Sequence, residues 1–597
     1  MKFFFLPLTL IIFCQPIVAD VSLLPPIDDW HGKSEHLIQS SSNPWQTPSE
    51  KLNLISTPNY KETFKYLDKL VASDQRLNKI SIGKSPQGRD IWMVIASSDG
   101  ISTSTELRNN GKPTLLVQAG IHSGEIDGKD AGLMLLRDII YGGKEKLLEK
   151  VNWLFVPILS VDGHEKISAF NRVNQRGPTN MGWRTSAENL NLNRDYTKLE
   201  TLELKALIKT INEWKPDLYY DVHVTDGEDY QYDITYGFNT SYGASPSISK
   251  WLSENLKPQI DTTLETNGHL GGPLTFGIDS MDFSKGIVGW TASPRFSNGY
   301  GDYRHLATVL VENHSLKPYK QRVLGTYIFI EETLKILAEK GQGLIKATKK
   351  DNSRKVDELI VSWDMNQENP TSMDFMGIDY RQKTDPLTGL KYIDWLGTNK
   401  LYIDLPIVWM NKAKDTVSIP QSYWIPAQYY TVIEKLKSHG IEMVLHKEKK
   451  VIKGNQLCVE DFEFAAVPFE GRQMPKASFS ETSNKFVLPE YSVEVKTNQP
   501  LGHLAVALLD PRATDSFFAW GYFNSIFQRT EYIESYVLIP LAKKLFAENP
   551  KLKNIFEKRK QDDKEFAKDS TKQMEWIYQQ SKYYDQEYLK YPVIFEF

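Results

Sequence analysis

The stretch PTLLVQAGIHSGEIDGKDAGLMLLRDII, Pro113 to Ile140, changes character twice. Pro113–Ala119 is a continuous apolar run, the pattern of a strand buried on both faces. Ala131–Ile140 carries apolar residues at helical spacing. A glycine-rich turn between them holds His122 and Glu125, three residues apart. In open α/β sheets ligands bind beyond the carboxyl ends of strands, so this turn stands where chemistry is expected. The tetrapeptide His122-Ser123-Gly124-Glu125 alone is equally consistent with an ordinary capped turn.

The same alternation continues on either side. A helix is expected from about Tyr60 to Leu77, where Phe64, Leu67, Leu70 and Val71 fall on one face. Further apolar runs follow at Val151–Leu159 (VNWLFVPIL), Leu218–Val222 (LYYDV) and Ala307–Val311 (ATVLV). Helices are expected at Leu202–Trp214 and about Gln321–Glu339. Apolar runs separated by helices predict an α/β fold, an α/β/α sandwich around a mixed, largely parallel central sheet. His122 lies just past one run, His223 ends another and Glu312 ends a fourth.

A chain of 597 residues exceeds one ordinary domain. Residues 20–49 are a polar, proline-containing lead-in, and the catalytic unit is expected over 50–345. After Lys349-Lys350-Asp351 the pattern changes. Residues 346–488 predict an accessory α+β region of strands with one helix, Gln428–Gly440. Residues 489–597 predict a mainly helical C-terminal region, with Leu504–Leu509 as a further strand.

The first residues, MKFFFLPLTLIIFCQPIVAD, have a charged start, an apolar stretch from Phe3 to Cys14 and a cleavage-like Ile17-Val18-Ala19. That is the pattern of a signal peptide over residues 1–19. Pro7 and Gln15-Pro16 interrupt it, and no other stretch spans a bilayer, so no membrane span is expected once the signal is removed. Only Cys458 would then remain. Export without disulfides points to a bacterial protein, periplasmic or extracellular. A net charge of -4 gives no basic face for nucleic acid or anionic membrane. Composition leaves the oligomeric state open.

Several familiar chemistries are absent. His164-Glu165 is followed at the fourth place by Ser168, which excludes the H-E-x-x-H helix. There is no G-x-S-x-G elbow, Walker loop or G-x-G-x-x-G, and Gly83–Gly88 reads as a turn. Metal chemistry, or carboxylates alone, is what remains. Catalytic zinc takes three protein ligands and leaves a fourth position open. His223 is the natural third ligand beside His122 and Glu125, and Glu312 the natural base.

These residues, in this order, resemble the zinc carboxypeptidases of the carboxypeptidase A type over about residues 50–340. In that family an H-x-x-E pair follows one strand and a single histidine follows a later one. The resemblance implies one Zn2+ per chain held by His122, Glu125 and His223, with Glu312 as general base and acid. Trp183-Arg184 matches the family's Trp-Arg, which implies that Arg184 stabilises the oxyanion. Asn193-Arg194 in LNLNRDY matches the pair that grips the substrate's terminal carboxylate. The family's mobile tyrosine falls between Trp290 and Tyr303, with Tyr300 the choice and Tyr303 the competitor. The implied activity is hydrolysis of the C-terminal peptide bond of a peptide with a free carboxylate. A murein-peptide amidase or another amide deacylase with the same machinery is the alternative, and a non-catalytic secreted binding module a further one. Residues Gln499–Phe527 look like those of longer bacterial members, and no activity attaches to them. Arg295, Trp290 and Phe296 are candidates for the pocket that reads the terminal side chain. Asp127, at the helix start, is expected to cap it.

Overall fold

The computed structural model describes residues 23–597, so the expected signal peptide lies outside the described residues. Ten strands precede the long helix Tyr319–Asn352. They are β1 (Leu77–Lys84), β2 (Asp90–Ala96), β3 (Thr114–Ala119), β4 (Asn152–Val156), β5 (Leu218–Val224), β6 (Ile234–Gly237), β7 (Gly271–Pro273), β8 (Thr275–Gly277), β9 (Ile287–Gly289) and β10 (Ala307–Asn313). Eight of them form one sheet in the order β1-β2-β4-β3-β5-β10-β6-β7. Its centre, β4-β3-β5-β10, is parallel. Antiparallel pairings enter at β1/β2, β2/β4 and β6/β10. This is the mixed, mostly parallel α/β sheet predicted from the apolar runs, and β3, β4 and β5 are buried at every residue.

Alternation along β5 sorts its two faces. The Tyr220 hydroxyl is paired with Thr333 of the helix Tyr319–Asn352. Tyr219, Asp221 and His223 point the other way, and the Tyr219 hydroxyl meets Tyr196 and Gln118. In the parallel register His223 lies beside Glu312 of β10, and Asp221 beside Leu310. Two chemically different strand ends therefore arrive side by side.

The turn after β3 leads into the helix Asp127–Tyr141, which packs on β3, β5 and the helix Tyr319–Asn352. Its start corrects one expectation. Asp127 is the first helical residue and makes no cap hydrogen bond. Its buried carboxylate instead pairs with both Nε (2.9 Å) and Nη2 (3.3 Å) of Arg322. Arg322 also donates to the carbonyls of Arg176, Gly177, Ser315 and Lys317. A buried guanidinium thus ties the first turn of one helix to the segments around the site, where a solvent-facing cap would tie only its own helix.

Beyond residue 352 the chain is rich in strands. Two long strands, Thr371–Thr384 and Lys391–Trp409, pair with each other and extend through β9 to β8. A six-stranded sheet contains Val444–His446, Ser492–Lys496, Ser422–Ile425, Ile594–Glu596, Lys450–Phe464 and Pro475–Leu488, in that order. The segment expected as a strand at Leu504–Leu509 is a helix, Gly502–Leu509, buried throughout. A wholly apolar run shows neither the twofold nor the 3.6-fold period, because no face of it meets water. The helix expected before Gly440 is present as Tyr430–His439, and Gly440 closes it with φ 86°.

Candidate active site

The turn that follows β3 is closed by a hydrogen bond from the Glu125 backbone N–H to the His122 carbonyl, 2.9 Å. Gly120 enters it at φ 63°, a conformation that L side chains rarely adopt. A Cβ at Gly124 would stand 2.6 Å from Arg172 Cδ, so that glycine admits an arginine beside the turn. His122 Nδ1 then lies 3.0 Å from Glu125 Oε1. His223 Nδ1 lies 3.2 Å from His122 Nδ1 and 3.0 Å from Glu125 Oε2.

These separations decide whether the three residues fit a metal. Two ligands on one tetrahedral zinc, each at about 2.0–2.1 Å, stand about 3.3 Å apart. The three donor atoms lie within 4.8 Å of one another and are buried. Both outward-facing ring nitrogens are occupied. His122 Nε2 is 2.8 Å from Asn191 Oδ1, and His223 Nε2 is 2.9 Å from Asp221 Oδ2. Such outer partners fix the rings with Nδ1 turned inward. Two imidazoles and a carboxylate so held are a donor set suited to zinc, with room for a fourth ligand.

The electrostatics agree. Burial works against the Glu125 charge, but Arg172 (2.8 Å) and the two histidines outweigh it and hold the carboxyl well below its usual range. Burial pushes His122 down to about 4, against the pull of Glu125, so its ring is neutral and can donate a lone pair. His223 also resists charge through burial, yet Asp221 and Glu125 prevail and push it up to about 10.

Glu312 closes the far side. It is half-buried, and its Oε2 is out of contact with solvent and without a hydrogen-bond partner. Burial, and then the Glu125 and Asp221 charges, push it up to about 8 against His223 and Arg184. His122, Glu125, His223, Glu312, Arg184, Asn193 and Arg194 all line one cavity of about 210 Å³. Seven of the eight residues that the resemblance assigns to metal, catalysis or the grip on substrate therefore line one place, Tyr300 being the exception.

Tyr300 does not. Its segment is a short helix, Ser297–Tyr303, packed on β10. Tyr300 is 1% exposed, and its hydroxyl lies 2.8 Å from His439 Nδ1. The competitor Tyr303 donates to the Ile360 carbonyl instead. The tyrosine that does line the cavity is Tyr230, stacked on His314 with centroids 4.2 Å apart. Arg295 is likewise a structural residue, because its Nε donates to Asp515 at 2.6 Å.

Four contributors had weak signals or none. Asp221 stands two residues before His223 in a strand, hence on the same face, and could have been found that way. Asn191 stands two before Asn193 in LNLNR. Arg172 and Asp226, which meet at 3.4 Å, come from loops with no local pattern.

With this geometry in hand, the relatives are informative. Residues 63–227 match the family model described as zinc carboxypeptidase. This span includes His122, Glu125 and His223, the three residues whose donor atoms lie close enough together to hold one metal ion. Carboxypeptidase 2 of Trichophyton rubrum is 23% identical over 460 residues, covering 73% of this chain and 79% of that protein. Carboxypeptidase D of Drosophila melanogaster is 27% identical over 195 residues, 30% of this chain and 13% of that one. Among solved structures, carboxypeptidase A of Helicoverpa armigera covers 53% of this chain and 80% of its own at 17% identity, with a TM-score of 0.37. No helix among the described residues is long and apolar enough to cross a membrane.

Proposed function

We propose that the chain is an exported carboxypeptidase that removes single residues from the free C-terminus of peptides, with residues 50–345 as its catalytic unit. One observation carries the choice of a free carboxylate. Arg194 lines the cavity without a carboxylate in ion-pair distance, donating only to the Asn193 carbonyl (2.7 Å) and stacking on Phe296 (4.3 Å). Burial, with Arg184 and Arg295 nearby, lowers its pKa to about 10. A buried cation without an anion is costly, and a substrate carboxylate supplies the missing partner through a paired hydrogen-bonded fork.

The remaining residues divide the work of amide hydrolysis. Zinc held by His122, Glu125 and His223 supplies a Lewis acid and lowers the pKa of water towards about 7. Glu312, whose Oε2 has no hydrogen-bond partner, accepts the proton from the attacking water and passes it to the leaving amine. Arg184 reaches Glu125 Oε1 at 2.9 Å from the solvent side and places a positive charge where the oxyanion develops. Asn193 Nδ2, 3.3 Å from His223 Nε2, stands beside Arg194 to orient the carboxylate. Leu274, Phe276, Trp290, Phe296 and Leu310 line the same cavity, which favours an apolar terminal side chain. Of its carboxylates, Asp226 already faces Arg172 and Arg184, and Glu228 accepts from the Gly277 N–H.

Arg194→Ala tests the reading. Losing a desolvated charged partner costs about 2–5 kcal/mol, so KM should rise roughly 30-fold to 5000-fold while zinc content stays unchanged. An unchanged KM in the zinc-loaded variant would show that no carboxylate binds there.

A further inference from the structure

One feature of the accessory region reaches the loop that carries Asn191, Asn193 and Arg194. Phe469-Glu470-Gly471-Arg472 forms a two-residue hairpin turn, with Phe469 and Arg472 exchanging both backbone hydrogen bonds at 2.9 Å. Its central residues have positive φ, 48° at Glu470 and 75° at Gly471. Such turns take Asn, Asp or Gly at the first central place, and glutamate there is a poor local choice. What glutamate adds is reach. Its Oε2 accepts the backbone N–H of Asn191 at 2.8 Å.

Asn191 is the pivot of the site loop. Its Oδ1 accepts from His122 Nε2 (2.8 Å) and from the Asn193 backbone N–H (3.0 Å). Glu470 is also among the carboxylates whose field reaches Arg194. The turn is held on both flanks, since Arg472 Nε donates to Glu200 (2.8 Å) and Arg295 lies over the Phe469 ring (5.6 Å). One carboxylate from beyond residue 352 thus fixes the backbone that orients both a metal-binding ring and the carboxylate-gripping pair.

We propose that Glu470 is a positioning residue, and that the hairpin tip of the accessory region completes the active site by holding Asn191 against His122 and Asn193-Arg194 in register with the cavity. This rests on the roles given above to His122, Asn193 and Arg194. A tip that served only as a turn would be improved by glycine, whereas a positioning carboxylate is lost with it.

The full chain separates the two. Glu470→Gly should leave the melting temperature equal or higher, because it relieves an unfavourable φ. At the same time kcat/KM should fall about tenfold or more, the range for losing a hydrogen bond to a charged group, with most of the change in KM. Zinc should also pass faster to a competing chelator. Glu470→Gln keeps an oxygen acceptor and should restore most of both properties. A Gly variant with wild-type KM and zinc retention overturns the proposal, as does a Gln variant no better than Gly. Should the wild-type chain itself cleave no peptide, the proposed activity fails, and the zinc-retention comparison still judges Glu470 separately.

Discussion

Replacing Glu312 by glutamine should make the metal-free protein more stable and the zinc-loaded protein inert. The carboxyl is half-buried, its Oε2 has no partner, and its surroundings push it from 4.5 to about 8. At about 1.4 kcal/mol per pH unit, ionising it in the folded state costs at most roughly 5 kcal/mol. Water at the mouth of the cavity screens part of this, leaving about 1–3 kcal/mol. The sign follows from linkage. An acid whose folded pKa lies above its unfolded value contributes its full stability below 4.5 and loses it as pH rises through 8. Glutamine carries no charge to penalise. Chelator-treated wild type and variant should therefore melt together near pH 5 and separate by a few degrees at pH 9, the variant higher. With zinc restored, turnover should fall by roughly 100-fold to 10,000-fold, the usual worth of a general base. A zinc-loaded glutamine variant with ordinary turnover, or one that melts lower at pH 9, would refute the assignment.

Two further outcomes follow from buried charge. Glu203, at the start of the helix Leu202–Trp214, is wholly buried with both carboxyl oxygens unpartnered, and burial pushes it up to about 7. Glu203→Gln should stabilise the protein by about 1–2 kcal/mol above pH 8 and by almost nothing at pH 5, as denaturant titrations at the two pH values would show. Arg322→Ala leaves Asp127 uncompensated and should cost about 3–5 kcal/mol in the same titrations, whereas replacing both by apolar residues of similar volume should cost far less.

How much of this was legible in the sequence depended on whether a residue announces itself through a period. The sheet was legible because β3, β4, β5 and β10 are buried on both faces and so read as continuous apolar runs. His223 and Glu312 stood out because each ends such a run, and His122 and Glu125 because they share the turn just past one. The helix Gly502–Leu509 was misread for the complementary reason, being apolar all round. Tyr300 was named by resemblance alone, without a local pattern to place it, and the helix it belongs to packs its ring into the core. Arg172 meets Glu125 across 47 residues of chain and Glu470 meets Asn191 across 279, and no local spacing records such contacts.

The role proposed for Arg194 is to hold the free carboxylate at the peptide's end while the terminal bond is cut. The most direct measurement is mass spectrometry of the zinc-loaded enzyme acting on a peptide with an apolar C-terminal residue and on its C-terminally amidated twin. The free peptide should lose residues one at a time from its C-terminus, and the amide should survive. Equal cleavage of both, or internal fragments from either, would contradict it.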